Sequence, residues 1–394
     1  MKKKEMKTVA ILLTTRPEYG GEHSYLTLLA EALESCNGKL FHVVAICVNR
    51  FWLQWCKERK IEYTTLYIST SSTENIIYYN HHPFLAKLLK KTDMILESIL
   101  KKYKVDILIC GQQGYFLGKC PCKLIRPIHD LMHKYEPSFL EFQQEKLDRE
   151  LIFSVAVKTA DVILVDSKLG KEQVLESYPK RKKGSKIEVL PFVAPKHAAG
   201  DSEVQMELPP RYIFYPAQFW THKNHLNLIK AIGVLKDELP DIRLILVGSE
   251  KNNLKNIQNC IAEKKLQKYV KILGFVPDEQ LAYLYRHAVA MVMPSYFGPT
   301  NIPPLEAMSL GCPVIVSDKY AMPEQVGDAG LLFHPDSYQE IAQCIRQVWK
   351  NEALRQRMIL KGYEKSKAWT RTNFKSRFIH IVMRELKTGR IFKR

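Results

Sequence analysis

The sequence predicts an α/β protein made of two doubly wound, Rossmann-like domains facing across a cleft, and three observations carry the prediction. Short apolar runs of strand length alternate with helical patterns along most of the chain, as in parallel sheets built from strand–helix–strand units. The alternation lapses in PFVAPKHAAGDSEVQMELPPR, residues 191–211, and then restarts. At 394 residues the chain is too long for one ordinary core and suits two domains of about 150–200 residues each.

In the first half the apolar runs 9–13, 41–48, 105–110, 162–165 and 187–190 read as strands. Helices fit between them, among them residues 24–35 and a segment from Ser167, an N-cap candidate, to Ser177. The second set of strands runs 212–215, 244–247, 270–273, 289–293 and 314–316. Helical segments follow Phe333, and the tail from Trp369 is amphipathic and basic. Its residues Phe374, Phe378, Ile381 and Val382 recur at helical spacing and need a surface to cover them. The expected boundaries are a first domain over 1–195, a linker over 196–210, a second domain over 211–368, and a C-terminal helix over 369–394 packing back on the first domain. In open sheets of this kind ligands bind in the crevice outside the carboxyl ends of the strands.

Hydrophobic residues at 46% and charged residues at 25% are the proportions of a soluble enzyme. No segment approaches the roughly 18–20 apolar residues of a membrane span. The N-terminal MKKKEMKTVAILLTT has too short an apolar run for a signal peptide and continues into Arg16 and Pro17, so it reads as a first strand. Nine cysteines without a repeated spacing point to a reducing cytosol. Cys120 and Cys122 flank Pro121, but with no second pair they do not complete a zinc set, and no metal is expected there.

The compositional outlier is a net charge of +18, which implies an anionic partner. Residues 1–200 hold 31 Lys and Arg against 22 Asp and Glu, and the remainder 28 against 19, so no basic tail carries the charge. Local concentrations lie at Lys2 to Lys4, Lys87 to Lys104 and Lys180 to Lys186. The middle one has apolar residues at helical spacing with lysines between, which suits either an anionic membrane surface or a solvated helix face. Nucleic acid is not the expected partner, because the charge is even and no recognition element interleaves it.

The stretch PSYFGPTNIPPLEAMSLGCPVIVSD, from Pro294, joins two apolar strands through a turn and a short helix ended by Gly311. Pro303 and Pro304 fall in the first helical turn, where a missing N–H costs nothing, so the amides around Thr300, Asn301 and Ile302 are expected to be open to an anion such as phosphate. Gly20 and Gly21 follow the first strand and precede a helix, which either makes a tight turn or lets backbone approach a ligand. Lys223, just past the first strand of the second domain, could neutralise charge on a leaving group. His129 and His133 are four apart, but they lack the glutamate of H-E-x-x-H and a third ligand, so they are not expected to hold metal.

Taken in order, RPEYGGEHSYLTLLAEAL, IHDLMH at Ile128 to His133, YPAQFWTHKNH at Tyr215 to His225, GFV at Gly274 to Val276, PSYFGPTNIPPLEAMSLGCPVI and VGDAGLLFHP resemble the motifs of family-4 (group 1) retaining glycosyltransferases of the GT-B fold. The resemblance spans nearly the whole chain and implies that the domain over 1–195 is the acceptor side and the domain over 211–368 binds the nucleotide-sugar donor. It implies a nucleotide diphosphate sugar, GDP-mannose or a UDP-hexose, as donor and a glycan or lipid-linked saccharide of a cell-surface polysaccharide as acceptor, with no metal or other cofactor. It also implies a cytoplasmic protein peripheral on the inner face of the membrane. By the same resemblance His129, Lys223 and Glu306 are catalytic. Gly20, Gly21, Gln218, Phe275, Val276, Gly298, Pro299, Thr300, Asn301 and Ile302 bind the donor together with Glu306.

Two positions depart from the family pattern. Gln218 stands where an arginine is common, and Gly298 replaces the first glutamate of E-x7-E, whose second is Glu306. The second departure leaves open a sugar-nucleotide-binding protein without turnover. The charge leaves open a basic nucleic-acid-binding protein.

Overall fold

A computed structural model describes residues 6–66, 92–115, 117–118, 120–195, 206–298 and 300–388. The chain divides into two compact units. One comprises the described residues up to Pro191 together with those from Arg371 onward, and the other is Phe192–Thr370. The division falls just before the expected linker, of which 196–205 lie outside the described residues.

The first unit is a seven-stranded parallel sheet in the order β3-β2-β1-β4-β5-β6-β7. Its strands are β1 (Thr8–Leu13), β2 (His42–Cys47), β3 (Glu62–Thr65), β4 (Ile107–Cys110), β5 (Lys123–Pro127), β6 (Val162–Val165) and β7 (Lys186–Val189). The central strands β1, β4 and β6 are buried along their whole length, which is why they read as unbroken apolar runs. Ser167 caps the Lys168–Ser177 helix by accepting the Gly170 N–H at 3.0 Å.

Two strands of this sheet escape the apolar-run criterion. β3 is a partly exposed edge strand of sequence EYTT. β5, KLIRP, is buried at every position although two residues are cations. Arg126 stays inside by donating to the carbonyls of Gln113 at 3.0 Å and Tyr115 at 2.9 Å. Lys123 donates to the Glu385 carboxylate at 3.2 Å and its carbonyl at 2.8 Å.

Glu385 belongs to the Arg371–Lys387 helix, whose apolar stripe Phe374, Phe378, Ile381 and Val382 is buried in the first unit. The Phe374 ring stands edge-on to Tyr25 with centroids 5.9 Å apart. Arg371 and Lys375 pair with Glu31 at 2.7 and 3.5 Å.

The second unit is a six-stranded parallel sheet in the order β10-β9-β8-β11-β12-β13. It comprises β8 (Ile213–Pro216), β9 (Leu244–Val247), β10 (Val270–Gly274), β11 (Ala290–Met293), β12 (Val314–Ser317) and β13 (Gly330–Phe333). β13 was not among the predicted strands; three of its four residues are only partly buried or exposed, so it lacks the signature of the central ones.

In both sheets the strand order reverses beside the first strand, between β1 and β4 and between β8 and β11. Each unit therefore has a topological switch point at the carboxyl ends of its strands. No helix among the described residues is long and apolar enough to cross a membrane. The basic stretch 87–104 is described only from Thr92, where a helix to Lys102 buries Leu96 and Leu100 and exposes Met94 and Ile95. Lys2 to Lys4 lie outside the described residues.

Candidate functional site

At the switch point of the first unit, Gly20 precedes the Gly21–Glu34 helix with φ 59° and ψ −121°, a backbone region open to glycine and costly for other residues. The next residue but one, Glu22, turns its carboxylate towards the segment after β4. There it accepts the Gln113 N–H at 3.1 Å and the Gln112 side-chain amide at 3.3 Å. Burial pushes the Glu22 carboxyl above the usual range, against the pull of His129 and of these N–H donors.

Gln113 is also the clamp on the segment after β5. Its Oε1 accepts the His129 N–H at 2.8 Å and its Nε2 donates to Asp130 at 3.0 Å. Asp130 also accepts from Arg149 and from the Met132 N–H.

The His129 ring is buried, with Nδ1 3.0 Å from an Asp166 carboxylate oxygen and the Tyr25 ring edge-on at 4.5 Å between centroids. Burial disfavours the imidazolium, but the carboxylates of Asp166, Glu22 and Asp130 outweigh it, and the pKa of His129 lies above the ordinary histidine value. His133 points elsewhere, with Nε2 3.2 Å from Glu150, and burial lowers its pKa to about 4. The two histidines do not converge. Among the described residues no three metal-ligating side chains form a group.

A cavity of about 480 Å³ opens beside this network, lined by Thr14, Tyr19, Glu22, Gln113, Asp148 and Arg149 among others. Sequence reading picked out Gly20, Gly21 and His129 here but missed Glu22, Gln113 and Asp166. Their one signal is placement, Gln113 and Asp166 just past the carboxyl ends of β4 and β6 and Glu22 in the first turn of the helix that follows β1.

The second unit gathers its candidates at the matching edge of its own sheet. Gln218 and Lys223 follow β8, Phe275 and Val276 follow β10, and Gly298 to Ile302 follow β11. Lys223 ends a 3-10 turn, Thr221–Lys223, and Asn224 then takes a left-handed conformation with φ 57°. The Asn224 side-chain amide fixes that conformation by donating to the carbonyls of Pro294 at 2.9 Å and Pro335 at 2.8 Å. Tyr215 donates to the Lys223 carbonyl at 2.9 Å, and Lys223 Nζ reaches Asn301 Oδ1 at 3.4 Å.

Asn301 is the N-cap residue of the Ile302–Ser309 helix, with the prolines in its first turn as expected. Its amide is not open, however. Asn301 N–H donates to Gln325 Oε1 at 2.9 Å, and Gln325 Nε2 donates back to the Asn301 carbonyl. An incoming anion would have to displace a neutral side chain at this amide, a contact invisible in the local sequence because Gln325 lies 24 residues on.

Glu306 is buried and accepts the Tyr285 hydroxyl at 2.7 Å. Burial and this carboxylate together push the Tyr285 hydroxyl well above its usual range. Gln218 accepts the Trp220 indole N–H at 2.9 Å. Phe275 is 81% exposed while Val276 is buried. Pro299 lies outside the described residues.

Gly298 has φ +154°, and a Cβ built on it would stand 2.1 Å from Asn301 Nδ2. Side chains at 298 and 301 therefore compete for one space. Gly298→Ala is expected to destabilise the second unit by about 1–3 kcal/mol through strain and overlap, and Asn301→Gly in the same chain to recover part of it. Urea unfolding of the two variants checks the coupling, and strictly additive effects would refute it.

Residues 202–365 match the family model for glycosyl transferases group 1. O-antigen chain mannosyltransferase B of Escherichia coli is 32% identical over 163 residues, 41% of this chain and 43% of that protein. O-antigen chain mannosyltransferase RfbU of Salmonella typhimurium is 27% identical over 223 residues, 56% and 59% respectively. The chain thus spans about half the length of these relatives. Anabaena HepE, solved in complex with UDP-glucose, superposes with a TM-score of 0.68 at 14% identity over 95% of this chain and 99% of that one. The fold is GT-B, and the unit that carries Lys223, Asn301 and Glu306 is the one that the group 1 glycosyl transferase model matches.

Proposed function

We propose that the protein is a retaining glycosyltransferase that moves mannose or another hexose from a nucleotide diphosphate sugar to a hydroxyl of a glycan or lipid-linked saccharide during cell-surface polysaccharide synthesis. The observation that carries the proposal is the placing of Lys223 beside Asn301 at the start of the Ile302–Ser309 helix. A lysine ammonium and a helix N-terminus on one sheet edge suit a diphosphate that displaces Gln325 from the Asn301 amide. The relatives named as O-antigen mannosyltransferases support mannose and polysaccharide, and the UDP-glucose complex of HepE supports a nucleotide sugar.

In this reading the bond from the anomeric carbon to the phosphate oxygen breaks as the acceptor oxygen bonds to the same face of that carbon. The departing phosphate takes the acceptor's proton. Lys223 and the helix supply the positive charge the leaving group needs, so the transfer requires no metal. Phe275 offers an exposed ring face for the base, and the resemblance assigns His129 a role at the donor sugar. The net charge of +18 supports an anionic membrane surface as a further partner. Co-sedimentation with phosphatidylglycerol vesicles that falls as salt rises would bear this out, and no binding at low salt would remove it.

The test is release of nucleotide from GDP-mannose and from UDP-, ADP-, dTDP- and CMP-sugars, read beside thermal stabilisation by each. Stabilisation and release with one donor class establish the transferase. Stabilisation by a donor with no release under any acceptor would instead favour a sugar-nucleotide-binding protein, a reading to which Gly298 lends weight.

A further inference from the structure

The start of the Ile302–Ser309 helix has fewer amides to offer than its position suggests. Of the N–H groups that open a helix, those of the second and third helical residues are missing here, because these residues are Pro303 and Pro304. The donors that remain are Asn301 and Ile302, and Gln325 engages the first of them.

That engagement is a two-point pairing. The Gln325 carboxamide accepts the Asn301 N–H at 2.9 Å and donates to the Asn301 carbonyl, as one peptide group does to another. The Asn301 side chain makes no cap, because the two prolines it would cap have no N–H to donate. It turns instead to Lys223 Nζ at 3.4 Å and to Met322 Sδ at 3.2 Å.

Met322 and Gln325 belong to one short helix, Met322–Val326, whose Met322 and Val326 are buried in the core of the second unit. The backbone under Gln325 is therefore anchored. Its side chain is only half-buried and can leave Asn301 by changing rotamer, with no movement of the helix.

The plug is neutral, and this decides what removes it. A charge-assisted hydrogen bond from an amide to a phosphate oxygen is roughly twice as strong as the neutral bond it replaces. An anion arriving at Asn301 also meets the Lys223 ammonium. The neighbouring Thr300 hydroxyl is buried without a hydrogen-bond partner among the described residues, a further donor for such an anion. Water brings no charge to compete with the pairing.

We propose that Gln325 is an autoinhibitory side chain: it keeps the Asn301 amide closed until an anion displaces it, and so lowers the affinity of the second unit for every diphosphate ligand by one common factor. This rests on the reading that the helix start takes a diphosphate. The pairing must open before any ligand uses the amide, so its cost is the same whatever else the ligand carries. Two neutral hydrogen bonds set that factor at roughly tenfold.

The experiment titrates the full-length wild type, Gln325→Ala and Gln325→Glu with inorganic pyrophosphate, UDP and GDP in a calorimeter. Gln325→Ala removes the plug and is expected to bind pyrophosphate, and each nucleotide that the wild type binds, about tenfold more tightly. Gln325→Glu keeps an acceptor for the Asn301 N–H and adds a negative charge, so it is expected to bind the same ligands at least tenfold more weakly than wild type. Damage to the fold would weaken binding in both variants, so opposite directions separate a lost plug from a disrupted site.

Binding by Gln325→Ala that is unchanged or weaker overturns the plug alone, and wild-type binding of nucleotide then leaves the diphosphate reading in place. A gain for nucleotides with none for pyrophosphate also overturns it, because the contact would lie with the nucleoside. If none of the three proteins binds any of the ligands, the diphosphate reading and the plug fall together. Tighter binding by Gln325→Ala without sugar transfer from any donor leaves the plug standing and removes the transferase.

Discussion

Lys223→Ala is expected to slow sugar transfer about 10²- to 10³-fold, the scale of removing one preorganised group that stabilises charge formed in the transition state. The lysine suits that role because its backbone is fixed on both sides. Tyr215 holds its carbonyl at 2.9 Å, and Asn224 bolts the following turn to Pro294 and Pro335. These contacts use the backbone of Lys223 and the side chains of its neighbours, so truncating the lysine leaves them intact. The Nζ contact to Asn301, at 3.4 Å, is a long hydrogen bond with little stability to lose.

Activity and stability should therefore separate. The thermal midpoint of Lys223→Ala should stay close to wild type while turnover collapses and stabilisation by the donor diphosphate weakens. Gln218 brings no charge to the same edge, which concentrates the effect on Lys223. Single-turnover rates of the two proteins with saturating donor provide the check. A variant rate within threefold of wild type would remove Lys223 from the chemistry.

The sequence reveals most of this architecture because a parallel sheet covered on both faces needs strands apolar at every position. β1, β4, β6, β8 and β9 meet that condition and are legible as runs. β3 and β13 hide because they are only partly buried, and β5 hides because its burial depends on a distant partner. β5 carries Lys123 into the interior only because Glu385 arrives from 262 residues away, and periodicity reports nothing about such pairings.

The candidate sites divide in the same way. Gly20, Lys223 and Asn301 could be found because turns and helix starts leave local marks in the chain. Glu22, Gln113 and Asp166 could not, because each gains its meaning from a contact across strand ends. Gln325 corrects the reading of the Asn301 amide for the same reason. Local sequence names the edge of the sheet where a ligand goes, and tertiary contacts decide which donors and acceptors remain available there.

Glu385→Ala tests one of those distant pairings and is expected to destabilise the docking of the Arg371–Lys387 helix by about 3 kcal/mol, the lower end of what breaking a buried ion pair costs. The carboxylate is buried and accepts from Lys123 at 3.2 Å, Lys186 at 2.8 Å and Arg384 at 3.1 Å. Its loss strands Lys123 inside β5. That lysine keeps the Glu385 carbonyl at 2.8 Å and Thr388 Oγ1 at 2.6 Å, which is why the lower end applies.

The pH dependence has a definite sign. Burial alone would raise the Glu385 carboxyl, but Lys186, Lys123 and Arg384 outweigh it, and the pKa falls below the ordinary 4.5. A carboxyl depressed on folding contributes stability that is complete above its unfolded value and lost as pH falls through the folded one. The gap between wild type and Glu385→Ala should therefore hold steady from pH 7 to about 5 and shrink below about 4.5. Amide exchange of the helix residues, converted to opening free energies in both proteins across that range, measures it. A gap that widened on acidification would mean that Lys123, not the carboxylate, is the group whose charge the interior fails to satisfy.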